Sequence, residues 1–252
     1  MLAYVPDYRE APPAQAEQAL PLRAFDTHAG IGYAVHLGRA SLDGATIEGA
    51  ADNVLHLKGQ FRAGSWLLAG SVWRLKAPVT ATVLATTANP ALTPEISELR
   101  ACAGYVVSLP LGLEAAPSLA LVSQELAPGG SGVPITGTPL DFAQTRRGFG
   151  LELPVVLALG DRVEAVVRGA VFPWAAGRLD KAPYAFDQER LHLFAGQAGL
   201  KVSLVGGLDA ELAVGLSSWQ GDVKLDGRLR DFRDLAATAM LGLIYRPERV
   251  GR

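Results

Sequence analysis

The chain has 252 residues, a formal net charge of −2, and 49% hydrophobic against 19% charged residues. This length suits a single all-β barrel domain, and the charge balance excludes the basic surface of a nucleic-acid-binding protein. Cys102 is the single cysteine, so the chain has no intramolecular disulfide. The apolar composition fits either a well-buried core or a surface that faces lipid.

The first 23 residues carry proline, alanine and acidic residues where a secretory signal would have an apolar core. The sequence also contains no apolar run of about 18 residues, the length that a transmembrane helix needs. We expect residues 1–23 to form a polar extension, 24–246 a single barrel domain and 247–252 a tail. If the protein is exported, we expect its signal peptide to have been removed from this chain.

Apolar residues alternate with small or polar ones after residue 24, which predicts β-strands. In the last of them, Leu241, Leu243 and Tyr245 share one face. Ten strands are predicted, and eight is the alternative count. They cover residues 25–38, 53–61, 65–75, 101–113, 118–123, 150–159, 163–172, 190–205, 208–218 and 235–246.

Short and long connections alternate along the chain. Tight turns rich in glycine or small residues are predicted at 62–65, 114–117, 160–161 and 206–207. Long polar connections are predicted at 39–52, 86–99, 123–147, 175–189 and 218–233. In an up-and-down meander, all short turns therefore lie at one end together with both termini.

From about residue 25 to 246 this pattern resembles bacterial outer-membrane β-barrel proteins, which have even numbers of strands, short periplasmic turns and long extracellular loops. The resemblance implies a closed antiparallel transmembrane barrel in the bacterial outer membrane, in contact with lipid or detergent. Glycines such as Gly30, Gly32 and Gly104 on the second face favour the crowded inside of a narrow barrel. A soluble lipocalin-like barrel that binds an apolar ligand is the alternative, because alternation alone does not exclude it.

Charged residues on the predicted inner face lie close to the tight turns. They are expected to form a mixed-charge layer in the lumen, where it acts either as a solute-selecting constriction or as a salt-bridge plug. A ten-stranded barrel favours the plug, since narrow barrels are filled by side chains. The predicted layer comprises Glu152, Arg162, Glu164, Arg168, Lys201, Asp209 and Glu211, with Glu114 as a further candidate.

No nucleophile elbow, phosphate-binding loop or dinucleotide fingerprint is present in the sequence. His28 and His36 share a strand face but lie about 26 Å apart, too far to bind one metal ion. We therefore expect a non-enzymatic protein with no metal or cofactor. A small outer-membrane barrel enzyme, either a protease or a lipid-modifying enzyme, is the alternative.

The long connections carry mixed charges and several aromatic residues. Their predicted role is docking to a protein or to a surface polysaccharide, with no role in nucleic-acid binding. The predicted contact residues are Trp174, Tyr184, Phe186, Trp219 and Phe232. Together these observations predict either a narrow pore or a structural and docking protein.

Overall fold

The computed structural model describes residues 25–42, 45–76, 79–83, 86–88, 95–127, 143–180, 186–225 and 228–247. No helix in these ranges is long and apolar enough to cross a membrane. The strands are β1 His28–Leu42, β2 Ala45–Ala63, β3 Trp66–Lys76, β4 Val79–Val83, β5 Thr86–Ala88, β6 Glu95–Tyr105, β7 Val107–Ser108, β8 Leu113–Ala115, β9 Ser118–Ala127, β10 Ala143–Ala158, β11 Val163–Asp180, β12 Phe186–Ser203, β13 Leu208–Leu225 and β14 Arg228–Tyr245.

Ten of these strands form a closed antiparallel barrel, which confirms the predicted fold and strand count. Strand β1 closes the sheet because it pairs with β14 on one side and with β2 on the other. Ala29, for example, lies opposite Tyr245 and opposite Gly59. The remaining barrel strands follow the chain order as β3, β6 and β9–β13, while β4, β5, β7 and β8 are short additions.

The outer face of the barrel is an apolar belt. On β14, Leu241 and Tyr245 are 65% and 49% exposed, whereas Met240 and Ile244, which directly precede them, point inward and are buried. The unbroken run of apolar residues at the outward positions of this strand extends from Leu235 to Tyr245, which covers about 25 Å at the strand tilt of an outer-membrane barrel. A soluble lipocalin-like barrel would place this face inside, so the alternative assignment of the faces is wrong.

Aromatic side chains stand on the outer face near both edges of the belt. Trp66 and Tyr105 meet edge to face with their ring centroids 5.6 Å apart near the short turns. Phe149 and Trp174 stack at 6.0 Å near the opposite edge. Such rings suit the membrane interface, where one side of the ring is apolar and the other is wet.

The predicted bounds of the long connections are too wide, because the strands continue beyond the belt. Strand β1 ends at Leu42 and β2 begins at Ala45, so only residues 43–44 separate them. Likewise β13 runs to Leu225 and β14 starts at Arg228. The alternation of apolar residues stops at the edge of the belt. Backbone pairing between the strands does not need apolar side chains, so it continues beyond that edge. We call this end of the barrel the extension end, and the opposite end the turn end.

The turn predicted at 114–117 is also misplaced. Strand β6 stops at Tyr105, and the chain forms a separate β7–β8 hairpin whose tip is Pro110–Gly112. Leu111 adopts a φ of 65° at this tip. The predicted turns at 62–65, 160–161 and 206–207 do lie between consecutive strands, with positive φ angles at Gly64, Gly206 and Gly207.

Candidate functional site

Six of the seven predicted lumen residues lie inside the barrel. Arg168 is half-buried, and the other five are buried: Glu152, Glu164, Lys201, Asp209 and Glu211. Arg162 is the exception, because it is exposed in the turn between β10 and β11. The prediction assumes that side chains keep alternating at Arg162. This residue lies before β11 begins, so its side chain does not follow the pleat of the strand.

Five of these six residues form ion pairs near the turn end, and the partners include two cations outside the predicted set, Lys58 and Arg246. Arg168 Nε lies 3.2 Å from Glu152 Oε1 on the neighbouring strand. Lys58 on β2 pairs with Glu211 on β13. Glu114 lies on β8, where its carboxylate is 3.9 Å from Arg62 Nη1. The turn-end charge cluster, as we call it, comprises Lys58, Glu152, Glu164, Arg168, Lys201, Asp209, Glu211 and Arg246.

Arg246 follows the last strand and is fully buried in the lumen. Its Nη2 atom lies 2.9 Å from Glu164 Oε2, and its Nε atom lies 2.5 Å from Asp209 Oδ2. Arg246 is the last residue of a predicted strand, and no role is predicted for it. Its position directly after the outward-facing Tyr245 is the signal that could have identified an inward side chain.

Glycines in the wall make room for the Lys58–Glu211 pair. The two residues are separated by β1 and β14, so the Lys58 side chain must cross the inner face of both strands. A Cβ atom on Gly30 would lie 3.0 Å from Lys58 Cε, and one on Gly242 would lie 3.6 Å from Glu211 Oε2. The absence of side chains at these two positions lets the pair lie against the wall.

A second polar group spans the lumen toward the extension end. Glu98 accepts hydrogen bonds from Trp73 Nε1 at 3.3 Å and from Arg100 Nη2 at 3.0 Å. Gln124 joins Glu98 to Arg146, whose Nη1 atom also lies 2.6 Å from Asp234 Oδ2. We call this group the crossing network; its members are Trp73, Glu98, Arg100, Gln124, Gln144, Arg146 and Asp234.

Apolar side chains pack against both polar groups. The guanidinium of Arg146 lies 4.7 Å from the ring centroid of Phe232 and 5.6 Å from that of Trp219. This apolar roof consists of Ala120, Val122, Phe172, Leu191, Leu193, Trp219 and Phe232. At the turn end, an apolar floor consists of Phe25, Leu67, Val106, Ala116 and Val156.

A cavity of about 160 Å³, lined by both polar and apolar side chains, lies between the turn-end charge cluster and the crossing network. His28, His36 and His56 are among its lining residues. His36 and His56 occupy different levels, because His36 lies opposite Ala51 and His56 lies opposite Gly32. Across the described ranges, no group of three histidine, cysteine or acidic side chains is arranged to hold a metal ion.

The aromatic residues that were predicted to contact a partner do not all lie on the surface of the barrel. Trp219 and Phe232 are buried in the lumen, so their assignment to a docking surface is wrong. Their strands continue into the predicted loop, where the pleat turns both rings inward. Trp174 is 67% exposed on the outer face. Tyr184 and the side chain of Phe186 lie outside the described residues.

The fold is that of the bacterial outer-membrane β-barrel proteins. The outer membrane protease OmpT from Escherichia coli matches with a TM-score of 0.56 and 9% identity, over 87% of this chain and 95% of that chain. An outer membrane channel from Pseudomonas putida F1 gives a TM-score of 0.43 at 13% identity, over 96% of this chain and 99% of that chain. No protein-family model matches the sequence, and no curated protein matches it.

Proposed function

We propose that the chain is a non-enzymatic barrel of the bacterial outer membrane with a closed lumen, which acts as a structural or docking protein. The filling of the lumen carries this proposal. The floor, the turn-end charge cluster and the crossing network with its roof occupy successive levels between the two ends. Barrels of about eight strands are filled by side chains, whereas those of about 16 leave a channel. This barrel has ten strands, near the filled limit.

The strands that extend beyond the apolar belt supply the docking surface. Arg39 on β1 and Glu48 on β2 form an ion pair of 3.3 Å there, and both side chains are exposed. Asp231 and Arg233 are exposed on the adjoining part of β14. A mixed-charge surface on a rigid ladder suits a polar partner, either a protein or a polysaccharide, that approaches from outside the bilayer.

An enzymatic role is not favoured by the histidines. In a catalytic triad, a carboxylate normally orients the histidine ring. All four histidines are described, and none of their rings hydrogen-bonds a carboxylate within the described part of the chain. The His28 and His192 rings contact the backbone carbonyls of Asp26 and Pro173, and the His36 ring lies 3.3 Å from Thr238 Oγ1.

Single-channel recording in planar bilayers tests the closed lumen. We expect the folded wild-type chain to insert without steady conductance. A triple variant, Phe25→Ala with Arg146→Ala and Phe232→Ala, removes parts of the floor, network and roof and should conduct. Heat-modifiable gel migration verifies folding of both proteins. Steady, salt-dependent conductance of the wild type would overturn the proposal and leave the narrow pore.

A matched control shows that conductance arises from opening the lumen. The variant Arg39→Ala with Leu229→Ala changes two exposed residues of the extension end and leaves the interior intact. It should remain as silent as the wild type. Cleavage of a peptide or a lipid by the wild-type protein would instead favour a barrel enzyme.

A further inference from the structure

The apolar belt contains a groove on the outer face of the barrel, between β10 and β14. Its floor is formed by Gly169 and Gly196, which are exposed and lie opposite each other on β11 and β12. Large apolar side chains surround this floor and form the rim: Leu153, Val171, Phe194, Leu216 and Leu235. The groove is therefore a place where the backbone itself, and not a side chain, is the surface of the belt.

The described part of the barrel does not explain why these two residues are glycines. Neither has a positive φ angle, so the backbone conformation does not require glycine. A Cβ atom added to either residue would meet no atom within 4 Å, so packing does not require it either. Glycine weakens the interior of a strand and often marks a site where a ligand approaches the backbone closely.

The pairing of the strands shows how the groove is oriented in the membrane. Residues that lie opposite one another on successive strands form a row around the barrel. Gly104, near the end of β6, shares a row with Ala236, although β14 continues to Tyr245. Because both strands end at the turn end, the rows climb toward the extension end from β6 to β14.

The groove consequently runs almost along the membrane normal. Leu216 lies opposite Gly196 on the next strand, and Ser218 is two residues closer to the extension end. Both steps climb, and their sideways components nearly cancel. With strands about 4.8 Å apart, a rise of about 3.3 Å per residue and a tilt of about 40°, Ser218 lies about 8 Å above Gly196. The same relation places the exposed Val167 at the lower end of the groove.

The depth of the groove matches the acyl chains of one leaflet. From Tyr105 at the turn-end edge of the belt, four strand spacings at this tilt place Gly196 about 12 Å into the belt, near its middle. The chains of one leaflet cover half of the hydrocarbon core, or about 15 Å. A chain that enters past Ser218 from the leaflet at the extension end therefore reaches its terminal methyl group near Gly196.

We propose that this groove is a binding site for one fatty acyl chain of a membrane lipid from the leaflet at the extension end. The chain passes between Phe194 and Leu216, and its end packs on the backbone of Gly169 and Gly196. The groove is continuous with the belt that contacts lipid, which identifies a lipid tail as its occupant. The site is independent of whether the lumen conducts, because it lies on the outer face.

Native mass spectrometry of the full chain tests this site. The protein is purified in non-ionic detergent and titrated with dimyristoyl phosphatidylcholine. We expect the wild type to bind one lipid more tightly than any further lipid. Gly196→Leu fills the groove and should weaken the binding of this first lipid about tenfold, which is the effect of about two methylene groups.

Two further variants control this experiment. Gly169→Leu fills the lower end of the groove and should have the same effect, so the test does not depend on the folding of one variant. Ala103→Leu adds apolar bulk at an exposed position of β6 outside the groove and should bind like the wild type. Heat-modifiable gel migration verifies folding. Equal binding by the wild type and both groove variants would overturn the proposal.

Crystals of the full chain grown with the same lipid give a direct readout. Continuous density of an acyl chain is expected from Ser218 to Gly196 in the wild type, and it should be absent from Gly196→Leu. A wild-type groove that is empty, or that is filled by side chains of a second copy of the chain, would contradict the lipid site.

Discussion

Arg146 on β10 and Asp234 on β14 form an ion pair of 2.6 Å across the lumen. Three strands, β11, β12 and β13, separate them along the wall, so the contact joins nearly opposite sides of the barrel. Arg146 also donates to Gln124 and Gln144, each at 3.1 Å. The guanidinium is therefore the point at which the crossing network holds the two walls together.

Replacing Arg146 with alanine should loosen the roof. The change removes a charged donor from Asp234 and a cation from the rings of Phe232 and Trp219. Hydrogen bonds to charged groups contribute about 1.5–3 kcal/mol, and a loss in that range is expected. Urea unfolding in lipid vesicles measures the free energy, and Trp219 fluorescence should shift to the red. A loss equal to that of the exposed-site variant Arg39→Ala would show that Arg146 does not hold the roof.

Arg246→Ala should be more damaging, because it leaves two buried carboxylates without their cation. Removing one partner of a buried pair typically costs about 3–5 kcal/mol. The same unfolding assay should show a loss of this size. Arg246→Met combined with Glu164→Gln and Asp209→Asn removes all three charges and should recover most of it. Failure of this triple variant to exceed the single variant in stability would mean that Arg246 acts through packing instead.

Gly30→Ala tests the space that the Lys58–Glu211 pair occupies. The new methyl group would lie 3.0 Å from Lys58 Cε and 3.1 Å from the backbone oxygen of Leu243. We expect a lower unfolding midpoint. Gly169→Ala is the matched control, since nothing lies within 4 Å of its added Cβ, and it should be neutral or slightly stabilising. If both variants unfold alike, the pair does not need the glycine.

Quenching by brominated lipids should distinguish the two tryptophans on the outer face from the two in the lumen. Trp66 and Trp174 are exposed on the outer face, whereas Trp73 and Trp219 point into the lumen. In single-tryptophan variants, with the other three changed to phenylalanine, the first two should be quenched in bilayers and the last two should not. Quenching of Trp219 to the extent of Trp174 would place its face of β13 against lipid and refute the register.

The two-residue alternation of apolar side chains predicted the barrel and its two faces, because every strand within the belt must present an apolar face to lipid. Alternation did not predict the strand ends beyond the belt. Strands such as β13 and β14 continue there through backbone hydrogen bonds, which leave no pattern in the side chains. The sequence therefore predicts that Trp219 and Phe232 are loop residues. Both rings point inward because the pleat of their strands continues beyond the belt. The sequence contains no pattern that predicts this continuation.

The lumen was predicted in part for a similar reason. Alternation alone predicts Glu164 and Glu211 in the lumen, but their partners Arg246 and Lys58 are distant from them in sequence. Pairing across a lumen depends on the stagger between strands, which β-bulges change, as between Ala34 and His36. Alternation within one strand carries no information about that stagger.

The position of Arg246 also links the order of assembly to the interior. The residue follows β14, and β14 is the strand that meets β1 to close the sheet. Until the last segment of the chain arrives, Glu164 and Asp209 lack the cation that holds them in the finished protein. An unfinished barrel is thus destabilised by two features: its unpaired backbone edges and its unneutralised carboxylates. Closure of the seam and completion of the interior are one event, so nearly complete barrels should be sparsely populated in the membrane.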